Sequence, residues 1–222
     1  MTSIFDSGSL RPVTVCGQRI ARSTHICAFF DSDAQEMECV APYFAEGLDN
    51  GELVFTIRER ARCQSYLERL SAQMKRDIEP YRASGQLRQL SVEESYLREE
   101  QDFEPVRMYE AIEEVLRQSE ADGYPRVRTC GDMNWAVALP HIDSLMEYEA
   151  RVNLLTSGHD CTFMCVYDLN RFSGRTVMDV LSTHPLVLMG NKIYENPYYV
   201  DPRDFIRSLA RRGSGRLARQ DA

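Results

Sequence analysis

The sequence predicts an α/β fold in which a mostly parallel sheet carries helices on both faces, and three observations predict it. Compact apolar runs alternate with segments of helical spacing along the whole chain, and parallel neighbours need a crossover that is usually a helix. Apolar residues make up 43% and charged residues 27% of 222 positions, an ordinary globular balance with enough apolar surface for a substantial core. No linker rich in Gly, Ser or Pro divides the chain and no internal repeat interrupts it, so one domain is expected.

The elements follow in order. Pro12 to Ile20 reads as a short hairpin around Gly17-Gln18, and His25 to Phe30 as a buried strand ending in Asp31-Ser32-Asp33. Asp33 and Glu36 have the spacing of a capping box, so a helix is expected from Ala34 to Ala45, stopping near Gly47. Leu53 to Ile57 is a second strand, and Ala61 to Arg76 a helix with Tyr66, Leu67, Leu70 and Met74 on one side. Leu87 to Val92 is a third strand, the acidic stretch Glu93 to Glu104 a connection or frayed helix start, and Val106, Tyr109, Ile112 and Leu116 mark the next helix face. Arg126 to Cys130 and Thr162 to Tyr167 are strands, while His141 to Leu155 and Gly174 to Ser182 are helices. Leu186 to Tyr194 closes the fold as a hairpin turning at Gly190-Asn191. The expected division is an N-terminal extension or hairpin over 1–22, the globular unit over 23–200, and a C-terminal helix with a basic tail over 201–222.

A formal charge of -8 argues against nucleic-acid binding, which rests on cations displacing the counterions of phosphates. Arg207, Arg211, Arg212, Arg216 and Arg219 make the tail a local exception, read as a solvated chain end. Neither a leader at Met1 to Leu10 nor a membrane span is read, so a cytoplasmic location is expected. Seven cysteines in a chain that can fold on its core are expected to be reduced.

In an open parallel sheet ligands bind beyond the carboxyl ends of the strands, which makes the residues there the candidates. They are Asp31-Ser32-Asp33, Arg58-Glu59, Gly131-Asp132-Met133-Asn134-Trp135 and Asp168. A nucleoside triphosphatase would need a Gly-rich loop with Lys and Ser or Thr at the first of these turns. That turn instead places Asp31, Asp33 and Glu36 where phosphate would sit, so no ATP hydrolysis is expected. Glu149 falls inside the apolar stripe of its helix and requires an Arg or His partner, or a proton. His25-x-Cys27, His159-x-Cys161 and the pair Cys161 and Cys165 each share a strand face, giving a metal reading beside the plainer one of small buried thiols. Ser182 and His184 are neighbours without a nucleophile elbow, and His184 reads as a helix C-terminal cap. Trp135 is either a core plug or an aromatic wall for a ligand.

Taken together, His25 to Ser32, Pro42 to Leu48, Val127 to Trp135, Tyr148-Glu149, Asn153, Cys165 to Asp168 and His184-Pro185 resemble the MEDS family, the sensory domain of methanogen and methylotroph regulators. The resemblance spans about Ser23 to Tyr199 and implies a RecA- or KaiC-like core lacking its Walker A loop. It implies an input domain for small organic molecules such as halogenated or one-carbon hydrocarbon derivatives. His25, Arg58, Asp132, Trp135, Glu149, Tyr167, Asp168 and His184 are the ligand-binding candidates, with entry expected at the carboxyl edge beside Trp135 and His184. Members of that family are often fused to a kinase or DNA-binding module, and neither is read here. Output is therefore expected through a kinase, an anti-sigma-type or transcriptional regulator, or a second copy of the chain. Three other readings remain: a metal, haem or thiol-redox sensor with His25, Cys27, Cys165 and His184 as ligands, an enzyme using Glu149, Asp168 and His184 as acid and base, and a structural partner protein whose sheet has no pocket.

Overall fold

The computed structural model describes residues 12–20, 23–97, 103–139 and 142–220, with side chains as far as residue 212. Its elements are β1 (Val13–Val15), β2 (Gln18–Ile20), β3 (Thr24–Phe29), α1 (Asp33–Asp49), β4 (Leu53–Arg58), α2 (Arg60–Met74), α3 (Glu79–Ala83), β5 (Leu87–Ser91) and α4 (Val92–Ser95). They continue with α5 (Pro105–Ala121), β6 (Val127–Asp132), a 3-10 helix (Asn134–Ala138), α6 (Ile142–Gly158), β7 (Cys161–Tyr167), α7 (Gly174–Thr183), β8 (Leu186–Met189), β9 (Lys192–Glu195) and α8 (Pro202–Gln220).

The main sheet has the order β5-β4-β6-β7-β3-β8-β9, parallel throughout except for the β8–β9 hairpin. Every residue of β3, β4, β6 and β7 is buried, as strands covered on both faces must be. Ile26, Ala28, Val54, Met164 and Val166 pack with α1, α2 and the small β1–β2 hairpin on one face. Cys27, Phe29, Phe55, Phe163 and Cys165 pack with α5, α6, α7 and α8 on the other. Alternation along each strand thus assigns His25 to the same side as Cys27.

Several expectations are corrected. The N-cap of α1 is Ser32, whose hydroxyl accepts the Gln35 N–H, because Glu36 turns inward to Arg58 rather than back to the helix start. Gly47 does not stop α1: a Cβ there would come within 2.9 Å of Arg128 Cδ, so this glycine serves a close approach to a buried side chain. The hairpin turns at Cys16-Gly17, both at positive φ (46° and 74°), one residue earlier than expected, in the two-residue geometry whose twist matches the strands. The acidic stretch after β5 begins as α4, closed by a capping box between Ser91 and Glu94. β6 runs on through Gly131 and Asp132. The start of α6 at His141 and the side chains of Arg216 and Arg219 lie outside the described residues.

The cysteines are not all reduced: Cys16, in the hairpin turn, is bonded to Cys39 on α1, across a sequence separation of 23. The hairpin packs on α1 and brings the turn against that helix, which spacing alone does not reveal. Closing a loop of this length stabilises by about 3 kcal/mol in the chain-entropy account. Reduction, or Cys16→Ser, is expected to lower the urea midpoint accordingly, read as unfolding with and without a thiol reductant.

Candidate functional site

The residues singled out by sequence fall in three places. The first is the crevice at the carboxyl edge between β3 and β7, where the chain leaves one strand toward one face and the other toward the opposite face. It encloses about 130 Å³ and is lined by Asp31, Ser32, Asp33, Glu36, Arg62, Asn134, Asp168 and Arg171, among others. This is where a triphosphate would lie in a hydrolase of this architecture. The expected repulsion among carboxylates is cancelled by arginines. Arg62 bonds Asp33 at 2.9 Å and approaches Asp132 at 3.4 Å, Arg69 bonds Asp33 at 2.5 Å, and buried Arg58 bonds Glu36 at 2.6 Å. Arg58 also reaches Tyr66 Oη and Cys130 Sγ. Asp168 is held at this edge, its N–H donating to Asn134 Oδ1 and its carboxylate accepting from Asn170.

Burial alone would lift the Asp33 carboxyl, but Arg69 and Arg62 outweigh it and hold the group below the ordinary carboxylate range. A lowered carboxyl adds stability above its unfolded pKa and loses it as the pH falls through the folded value. Wild type should therefore exceed Asp33→Asn at neutral pH by about 0.2–1 kcal/mol, as exposed pairs do. That margin should vanish below the ordinary carboxylate range, checked by urea unfolding across acid pH.

The second place is aromatic. Trp135 is buried as a core plug, stacked on Tyr96 with ring centroids 4.9 Å apart, and Phe103 and Tyr148 close the cluster edge-on. Tyr96 is also a wall of two spaces. One is a cavity of about 20 Å³ beside Gly131, Tyr148, Phe163 and Cys165; the other is a cleft of about 360 Å³. Besides Tyr96, the cleft is lined by Phe55, Ile57, Leu90, Met108, Ile112 and Val115, with Glu94, Ser95, Arg107, Ala111 and Glu114 completing its lining. Phe55, Ile57, Tyr96 and Ile112 are walls of both spaces.

The third place lies under α6. Glu149, fully buried, accepts from Tyr167 Oη at 2.7 Å on Oε1, and its Oε2 faces His25 Nε2 at 3.1 Å, His184 Nε2 at 3.5 Å and Cys165 Sγ at 3.5 Å. These are the partners a carboxylate in an apolar stripe demands. Burial lifts the Glu149 carboxyl, but the neighbouring imidazoles of His184 and His25 outweigh it and hold the group below the ordinary range. Burial and then the neighbouring His184 bring His25 down to about 4. His184 caps the end of α7 with Nδ1 2.7 Å from the Val180 carbonyl.

Three expectations about this group change. His184 precedes β8, which runs parallel to β3 in the register Ile26 with Leu186, so it sits at the amino end of the sheet. Trp135 follows the carboxyl end of β6, and the two do not share one pocket mouth. Asp168 is likewise kept at the carboxyl edge, so Glu149, Asp168 and His184 do not assemble into an acid–base trio. Cys27 turns its thiol to the Leu186 carbonyl, outside the group formed by His25, Glu149, Cys165 and His184. His159 pairs with Glu120, and Cys161 donates to the His159 carbonyl.

A profile of the MEDS domain, the methanogen/methylotroph DcmR sensory domain, matches residues 24–185. The chain belongs to the MEDS family. It is 25% identical over 173 residues to the transcriptional repressor DcmR of Methylorubrum extorquens, an alignment covering 77% of this chain and 61% of that protein's length. Among solved structures, the KaiC-like protein PH0186 of Pyrococcus horikoshii OT3 superposes with a TM-score of 0.55 at 15% identity, covering 75% of this chain and 72% of that one. The flagellar accessory protein FlaH of Methanocaldococcus jannaschii gives 0.47 at 11% identity, covering 81% and 80%. The MEDS chain thus has a KaiC-like fold and a sensory, regulatory affiliation. No helix among the described residues is long and apolar enough to cross a membrane.

Sequence reading missed Arg62, Arg69 and the whole cleft. Arg62 and Arg69 stand seven apart on α2, two helical turns on one face, and that spacing opposite an acidic turn was the available signal. The cleft gave none: the apolar face of α5 was legible, but α4 lies in an acidic stretch without periodicity, and the space the two enclose depends on how they pack.

Proposed function

We propose that residues 23–200 form a sensing unit that binds a small, mostly apolar organic molecule in the cleft between β5, α4 and α5. Its occupancy is passed to a regulatory protein partner by contact. The observation that carries this reading is the cleft, about 360 Å³ with apolar walls and a few polar groups, the composition of small-molecule sites. Membership of a sensory family and likeness to a transcriptional repressor support the regulatory role. The reading assigns no triphosphate hydrolysis to the crevice, whose walls carry paired carboxylates and arginines in place of a phosphate-binding loop. A ligand moves the equilibrium of a partner-binding surface only by favouring one arrangement of α4 and α5.

The test is a thermal-shift and calorimetric panel of halogenated and one-carbon hydrocarbons on the purified chain. A binder is expected to raise the Tm with concentration. Ala111→Phe, which fills the cleft from an exposed helix position, should keep the fold and weaken binding at least about tenfold, equivalent to about 1.4 kcal/mol. Equal binding by the filled variant would place the site elsewhere.

A further inference from the structure

The group under α6 leaves the buried Nε2 of His184 without a hydrogen-bond partner. His184 Nδ1 faces the Val180 carbonyl at 2.7 Å and must carry a hydrogen there, so a neutral His184 presents a bare Nε2 lone pair. That atom has no hydrogen-bond partner and stands 3.5 Å from Glu149 Oε2. Two acceptors facing each other in a dry interior repel unless positive charge lies between them. The same carboxylate oxygen has His25 Nε2 at 3.1 Å and Cys165 Sγ at 3.5 Å, and those two atoms are 3.3 Å apart. All four ligand atoms lie within 4.8 Å of one another, and all four residues are buried.

We infer that His25 Nε2, His184 Nε2, Cys165 Sγ and Glu149 Oε2 form a closed four-ligand site for a divalent transition-metal ion of the zinc type. With bonds of about 2.0–2.3 Å, the corners of a tetrahedral site stand about 3.3–3.7 Å apart; the three separations from Glu149 Oε2 and the one between His25 and Cys165 lie within a few tenths of an ångström of that range, and the remaining two are no more than 4.8 Å. Two imidazoles, a thiolate and a carboxylate suit a borderline ion and disfavour calcium or magnesium, which take oxygen ligands. Binding breaks the Cys165 S–H bond and releases its proton to solvent. Thiolate and carboxylate then cancel the two charges of the ion, so the filled site is neutral where a net charge would be costly.

Supporting contacts are in place. The Val180 carbonyl fixes the His184 tautomer, and Tyr167 occupies Glu149 Oε1, leaving Oε2 for the ion. Asn153, pinned by donating to the Thr183 carbonyl at 2.7 Å, adjoins the His25 ring. An ion here would join β3, α6, β7 and the start of β8, tying the two central strands to the helix above them. The site stands apart from the cleft and does not depend on it.

The experiment uses the full chain, stripped with a chelator and titrated with cobalt(II), alongside elemental analysis of the untreated protein. One zinc-type ion per chain is expected. Cobalt should give intense visible bands of tetrahedral coordination and a near-ultraviolet thiolate-to-metal band, saturating at one equivalent. Cys165→Ser should lose the near-ultraviolet band, and Cys63→Ser, at a half-buried thiol outside the group, should keep it. Should Cys165→Ser fold poorly, Glu149→Gln gives a second readout, a weakened and spectrally shifted cobalt complex. Absence of metal with no saturable cobalt spectrum would overturn the inference, as would a near-ultraviolet band unchanged in Cys165→Ser.

Discussion

Replacing Arg128 with methionine is expected to destabilise the chain by about 3–5 kcal/mol, the cost of leaving one half of a buried ion pair behind. Arg128 has no exposed surface although it lies in the middle of a sheet. Its Nε and Nη2 both bond Glu52, one Nη1 bond goes to Glu46 at 2.7 Å and another to the Tyr43 carbonyl at 2.9 Å, and its guanidinium lies over the Tyr43 ring. Methionine fills much of the stem but leaves the Glu52 carboxylate in the core with, among the described residues, only Arg126, 3.9 Å away, to answer it. Removing both charges should cost much less than removing one, so Arg128→Met with Glu52→Gln is expected to recover most of the loss. Urea unfolding of the three proteins measures this. A single variant within about 1 kcal/mol of wild type would mean that Glu52 is not charged or not buried as described.

A comparable loss is expected at the other face. His184→Ala removes one partner of the fully buried Glu149 carboxylate and opens a void, and about 3–5 kcal/mol is expected from the lost contact and the void together. Tyr167→Phe removes only the bond to Oε1 and should cost about 1.5–3 kcal/mol, the range for a hydrogen bond to a charged group. Because His184 and Glu149 act as a unit, His184→Ala combined with Glu149→Gln should be less destabilised than the sum of the single variants. Additivity in that double-mutant cycle would contradict the coupling.

The strands were legible because a parallel sheet covered on both faces writes itself as short apolar runs, and β3, β4 and β7 lie where those runs stand. The β8–β9 hairpin was legible in Gly190-Asn191, both at positive φ. Glu149 announced its need for a partner by interrupting an apolar stripe, and His25 and His184 meet it. Arg58 and Arg128 were harder to read: charged residues at strand positions look like edges or ends, and only the facing Glu36 and Glu52 explain their burial. Gly47 looked like a helix stop because its role is set by Arg128, which arrives from another strand. The Cys16–Cys39 bond depends on how a hairpin leans on a helix, and the cleft depends on where α5 returns to the sheet. Both are tertiary facts that no local pattern encodes.

Trp135 supplies the most direct test of the sensing account, since it is the sole tryptophan and stacks on Tyr96, a wall of the cleft. Its emission should change saturably as a small halogenated hydrocarbon is titrated into the purified chain, lose that response in Ala111→Phe, and stay unchanged with magnesium ATP. A linear, unsaturating quench that is equal in wild type and Ala111→Phe, or a saturable response to magnesium ATP, would contradict it.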